Sequence, residues 1–395
     1  MMRMIPGVLA GAVCCAVVFA GCSKKEFRKD VGPIKEAQVK AEDMQVIKID
    51  EKIEFRMVRV APGKFTMSAP DGENFGNEVA HTKQLTREFY IGQTEVTQAQ
   101  YNAVIEAWKK KNPEKWAKLY PEKWSTEFAN NKFGEFVKPA VSNFSKDGAS
   151  KDKVKGINTA NYPVENISWI DAMDFCMMLN ELGFAPKGWK FSLPTESQWE
   201  FAARGGNVEK DKNFKYSGGN DINNVAWCKQ NSNGRTKEVG VMNATDKRSC
   251  NGLGLYDMTG NIAEWCLDSW KNRSSETPAE IDENWFMVSA MIRGLIRIEI
   301  EEKFAKENKR SPRQKMTPEF KKELDKFSKW RVYRGGSWNG NDQVCRVANR
   351  GAVPPYQLTR SVKEDKATGK SDITYTASGY PHIGFRLVLV PVIAK

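Results

Sequence analysis

The segment Leu193-Pro194-Thr195-Glu196-Ser197-Gln198-Trp199-Glu200-Phe201-Ala202-Ala203-Arg204-Gly205-Gly206 spells a short helix with both of its ends. Thr195, with Gln198 three residues on, is a capping box: each side chain satisfies a backbone N–H that the first turn leaves without a partner. Trp199, Ala202 and Ala203 form the apolar side. Gly205-Gly206 stops the helix, because glycine takes the left-handed backbone at a helix end without a Cβ penalty.

The same grammar recurs outward from this segment. Ser168 with Asp171 opens a helix whose buried stripe is Ala172, Phe175, Cys176 and Leu179, and Gly183 ends it. Thr97 with Gln100 opens another, with Tyr101, Val104, Ile105 and Trp108 on one face. Ile53, Phe55, Met57 and Val58 read as a strand before Pro62-Gly63, and Phe89-Tyr90-Ile91-Gly92 as a second. Short helices in a Gly- and Trp-rich chain full of turns predict an α+β fold with much irregular structure. Two stretches interrupt the pattern. Residues 107–160 space Trp116, Tyr120 and Trp124 at four, which suggests a helical hairpin. Residues 273–330 predict a helix over Trp285 to Lys306 and a charged one over Pro318 to Lys329. Both read as insertions on a core: sites of specificity, or decoration.

The chain has 395 residues and a net charge of +12, enough to ask for an anionic partner or a solvated basic surface. Residues 107–160 hold twelve Lys against six acidic groups, and residues 271–330 hold fourteen basic against eleven acidic. Neither interleaves basic and aromatic residues as a nucleic-acid motif does, so no nucleic acid is expected.

The N-terminus reads as an address. Met1-Met2-Arg3-Met4 is a basic start, Ile5 to Gly21 carry no charge, and Val18-Phe19-Ala20-Gly21-Cys22 places a cysteine after small residues. This predicts a lipoprotein signal peptide over 1–21, lipidation at Cys22, a Lys- and Glu-rich tether over 22–45 and a domain over 46–395. The alternatives are an ordinary signal peptide or a membrane anchor. Two or three acyl chains on Cys22 give stable membrane attachment. The expected location is the bacterial cell envelope, on the periplasmic face or at the outer membrane. Such a compartment is oxidising. It leaves five cysteines in the domain: Cys176, Cys228, Cys250, Cys266 and Cys345. Cys176, on a helix stripe, reads as a buried free thiol.

Seven blocks, in order, resemble the formylglycine-generating-enzyme, or sulfatase-modifying-factor, family. They are Gly63–Met67, Glu95–Tyr101, Pro163–Ala172, Leu193–Gly206, Gly254–Trp265, Arg334–Trp338 and Ile383–Arg386. The resemblance implies one domain with a C-type-lectin-like core. It also implies oxidation of a substrate cysteine to formylglycine by copper held on two cysteines, since soft thiolates hold copper(I). Those two follow the Gly-Gly-Ser block, second and seventh after its aromatic residue. Here the second position is Gly340 and the seventh is Cys345. Copper is therefore not expected. The aromatic residue of the family's turn is replaced by Ala263.

What the resemblance still implies is a structural calcium on Asp257, Gly260, Ile262 and Glu264, from carboxylates and backbone carbonyls. The turn held by hydrogen bonds alone is the alternative. Adjacent blocks imply a Cys266–Cys345 disulfide, with Cys228 and Cys250 flanking a turn-rich loop as a second pair. No catalytic residue stands out; Cys345 and Ser337 are the candidates. The ligand surface implied by the family is Arg334, Ser337, Trp338, Asn339, Asn341, Asp342 and Arg350. The expected function is non-catalytic binding or envelope assembly, with an envelope protein or glycan as partner. The alternative is an oxidoreductase that modifies a protein cysteine.

Overall fold

The computed structural model describes residues 39–68, 78–120, 141–209, 212–240, 242–243, 246–247, 250–270, 285–307, 309, 311–312, 314–365 and 370–392. The signal peptide, Cys22 and most of the tether lie outside them. Residues 35–395 form one unit. Regular structure begins before the expected 46, with β1 at Met44–Lys48.

The strands β1, β2 (Glu54–Val60), β5 (Phe89–Gly92), β6 (Trp189–Ser192) and β15 (Val388–Pro391) make one antiparallel sheet in the order β1-β2-β5-β15-β6. Successive side chains on a strand point to opposite faces. So Phe55 and Met57 enter one core, while Val58 and Val60 enter another. β3 (Gly63–Met67) pairs with β4 (His81–Leu85) beside this sheet.

Over the first face lie α1 (Gln98–Lys111) and α3 (Trp169–Leu182). On the second lies α4 (Glu196–Ala203). All three start in the capping boxes read from sequence, at Thr97, Ser168 and Thr195. Gly183 closes α3 at φ +83. Each such cap is worth about 1 kcal/mol. Cys176 is buried and free, as expected, and burial pushes its thiol up.

Helices lie within both stretches expected as insertions. α2 (Pro113–Leu119) follows α1, and residues 121–140 of the expected hairpin lie outside the described residues. After the short α5 (Ile222–Val225), α6 spans Trp285–Glu307 and α7 spans Pro318–Phe327. The two insertions meet over α3. Arg293 of α6 pairs at 2.7 Å with both Asp171 and Asp174 and lies 4.9 Å from the Tyr120 ring centre. Arg297 donates to the Leu119 carbonyl at 2.8 Å. Separate in sequence, they form one layer.

Two-residue strands β7 (Met242–Asn243) and β8 (Asp246–Lys247) make a small hairpin. A second sheet carries the site. β9 (Ala263–Ser269) sits between β10 (Arg331–Arg334) and the parallel β14 (Ile383–Gly384), and β11 (Gly351–Val353) edges β10. β12 (Gln357–Asp365) and β13 (Lys370–Ser378) form a long hairpin.

Candidate functional site

At the end of β10 the chain turns through Gly335 (φ +94) and Gly336 (φ +71). A Cβ on Gly336 would lie 2.7 Å from Cys345 Sγ, so the glycine allows residue 345 to pack against the turn. Trp338 N donates to the Asn261 carbonyl at 2.8 Å, and Asn261 N donates to the Trp227 carbonyl at 2.7 Å. The Gly254–Trp265 block is thereby the base on which the Trp338 loop stands.

The family's ligand residues separate into two groups. Arg334 and Arg350 were expected at the ligand surface; the structure corrects this. Arg334 is 1% exposed, pairs with Glu200 and donates to the carbonyls of Val347, Ala348 and Asn349. Arg350 grips Glu196 at 2.5 and 2.8 Å. Burial opposes ionisation of Glu200, yet Arg334 and Arg204 hold its carboxyl below the ordinary range. These arginines shape the 337–350 loop from behind. Ser337 is buried too, its Oγ donating to Asn339 Oδ1 at 2.7 Å. The rim that meets solvent is Asn339 and Asn341, with Trp338 and Asp342 half-buried. Asn341 Oδ1 accepts from the N–H groups of Gln343 and Val344 at 3.1 Å, which fixes the turn.

Sequence reasoning missed what covers Trp338. Phe144 meets its ring edge-on at 5.1 Å, and Lys153 Nζ lies 5.7 Å from its centre. Both come from the first insertion. That segment is pinned by Glu165, whose two oxygens accept from Asn143 N and Phe144 N at 2.9 Å. Burial pushes Glu165 up to about 8 against those two bonds. Pro163-Val164-Glu165 was read only as a family block, and the bonds that give Glu165 its role are made by the insertion.

Gly340 stands where the first copper ligand would be. A Cβ there would meet Val344 Cγ2 at 2.7 Å and Cys345 Sγ at 3.3 Å. The position faces the remaining thiol and carries no ligand. Burial, then the neighbouring Cys228, pushes Cys345 up to about 12, so it is a poor nucleophile at neutral pH. Cys345 shares a small apolar cluster with Cys228, whereas Cys266 lies in the second core. Cys266 and Cys345 are free thiols, so the implied Cys266–Cys345 bridge is not formed here.

The implied calcium residues fall in a buried cluster with Glu95. Asp257 and Asn261 take positive φ, +55 and +58, to form the turn. Glu264 is already engaged: Arg386 donates to it at 2.6 and 2.7 Å, and Trp199 Nε1 at 2.7 Å. Glu95 accepts from Asn261 Nδ2 at 2.7 Å and Ile262 N at 3.0 Å. Burial, then the charges of Asp257 and Glu264, pushes Glu95 well up. Three carboxylates, Glu95, Asp257 and Glu264, thus lie near the Arg386 guanidinium. A calcium ion here would share Glu264 with Arg386. Among the described residues no group of three or more ligating side chains is poised for a metal.

The Sulfatase-modifying factor enzyme 1-like domain matches residues 44–362, most of the chain. The chain belongs to this family. It is similar to the chaperone protein LppX of Paenibacillus barcinonensis, 32% identical over 189 residues, covering 35% of this chain and 61% of that one. It thus spans less than two thirds of LppX. It is also similar to the formylglycine-generating enzyme of Streptomyces coelicolor, 27% identical over 229 residues, 53% of this chain and 68% of that one. Among solved structures, Treponema denticola variable protein 1 aligns with a TM-score of 0.49 at 22% identity, over 88% of this chain and 99% of that one.

Proposed function

We propose that this member of the family is a non-catalytic, lipid-anchored envelope protein that holds a polypeptide on the face around Trp338. The observation that carries the reading is Gly340. Without a cysteine at this position the family's two-thiolate copper(I) site is not built, and Cys345 is itself buried with its thiol pushed up to about 12. Trp338 meanwhile stays half-exposed on a rigid turn beside the exposed Asn339 and Asn341, the kind of anchored aromatic that binding surfaces use. The similarity to LppX, named a chaperone protein, favours a protein partner over a glycan. Anchoring through Cys22 rests on the N-terminal sequence; no described helix is long and apolar enough to cross a membrane.

The test incubates the full chain with a cysteine-containing sulfatase-motif peptide, copper and O₂, and reads formylglycine by mass. The expected result is no turnover beside an active relative. Turnover would restore the oxidoreductase reading and overturn this one. Calcium at the Asp257–Glu264 turn is tested by melting the chain with calcium and with a chelator. A site predicts a higher melting temperature with calcium, whereas equal melting curves would mean that the turn is held by hydrogen bonds alone.

A further inference from the structure

The rim of Trp338 carries cations set on aromatic rings. Lys153 lies over Trp338, Arg235 over Tyr162 at 5.8 Å, and Lys237 over Trp227 at 5.2 Å. Each cation and its ring come from different segments, so no interleaved basic–aromatic motif shows in the sequence. The three pairs stand on one frame. Asn261 accepts Lys237 N at 2.9 Å and, through its own backbone, joins Trp338 and Trp227. Ser232 Oγ donates to the Trp338 carbonyl at 2.7 Å, and Lys153 Nζ donates to the Gly234 carbonyl at 2.9 Å.

The bonding of Lys153 and Arg235 differs from that of the arginines behind them. Lys153 bonds a carbonyl, and Arg235 bonds the Tyr162 hydroxyl at 2.8 Å and the Thr236 carbonyl at 3.3 Å. These acceptors are neutral, so the positive charge is held in place without being cancelled. Segments 151–155 and 229–238 together carry six basic and two acidic side chains. Apolar groups border the ridge: Ile157 is 38% exposed and Val344 40%. Fixed cations attract carboxylates, the ring faces take apolar or aromatic groups, and a chain presenting both in alternation fits.

We infer that this ridge is a docking surface for acidic polypeptide segments in which Asp or Glu alternates with apolar or aromatic side chains. The inference rests on the proposed binding role and names the partner's chemistry. A sulfated glycan would satisfy the cations and leave the apolar border unused.

The experiment measures fluorescence anisotropy of the full chain with a labelled peptide of alternating Glu and Phe, its Gln–Phe counterpart and a sulfated polysaccharide. The Glu–Phe peptide should bind best, and at least tenfold more weakly to Lys153→Glu/Arg235→Glu. Raising the salt to 0.5 M should weaken it as well, because exposed charges are screened within about 10 Å at 0.1 M. Lys48→Glu, an exposed reversal on β1, controls for net charge. Lys153→Gln/Arg235→Gln, checked for unchanged melting, guards against misfolding and should show an intermediate loss. Equal binding of the Gln–Phe peptide, preference for the polysaccharide, or equal loss in Lys48→Glu would overturn the inference. If a non-native protein binds the chain but the Glu–Phe peptide does not compete, the acidic preference fails while the binding role stands. If neither binds, both fail.

Discussion

Arg334, Arg346, Arg350 and Arg386 carry the same charge as Lys153 and Arg235, and the fold uses it in opposite ways. The first four are buried against Glu200, Glu78, Glu196 and Glu264. Taking a guanidinium out of water costs several kcal/mol, and only a carboxylate with good geometry offsets it. Their charge is consumed in fixing loop shape. Lys153 is exposed and Arg235 half-buried, each over a ring and bonded to neutral oxygens. Basic residues in one region therefore indicate scaffold, and in the other, recognition.

The sharpest break of this comparison is at Arg334. Arg334→Ala leaves Glu200 a buried carboxylate held by Arg204 and the Ser68 N–H. The expected loss is about 3–5 kcal/mol in urea denaturation. A change under about 1 kcal/mol would show that the pair is dispensable and the division wrong. Next is Gly340→Cys. Its Cβ would press on Val344 Cγ2, so stability should drop by about 1–3 kcal/mol. Val344→Ala in the same chain should recover most of it, and the double variant should retain copper(I) on dialysis where the parent does not.

Glu165 probes how the insertion is held over Trp338. Its folded-state value, about 8, lies above its usual 4.5. Its contribution to stability is then full below the lower value and is lost as pH rises through the upper one. Melting temperature should fall between pH 5 and 8 by several degrees, roughly what a 1–2 kcal/mol change gives in a chain this size. Glu165→Gln should flatten that slope, and an unaltered slope would assign the pH dependence elsewhere. The smallest effect is expected at the rim: Lys153→Ala should change stability by less than about 1 kcal/mol, the scale of an exposed cation–ring contact.

Much of the fold was legible because helix starts are local. Thr97, Ser168 and Thr195 each announce a cap within four residues, and the helices at Trp285 and Pro318 showed their own periodicity. The α+β class followed. The assignment of Arg334 and Arg350 to a ligand surface did not survive. Their partners, Glu200 and Glu196, are 134 and 154 residues away. No local pattern tells a buried arginine from an exposed one. The joining of the two insertions through Arg293 and Tyr120, 173 residues apart, was hidden for the same reason. The loss of the first copper ligand at Gly340 was visible at once, since it is a question of residue identity.

The most direct test of the binding account is suppression of aggregation. A reduced, unfolded secreted protein is followed by light scattering with the full chain and with Trp338→Ala. The account predicts that the parent slows aggregation and that Trp338→Ala, melting within a few degrees of it, does not. Equal suppression by both would contradict the placement of the function on the Trp338 face.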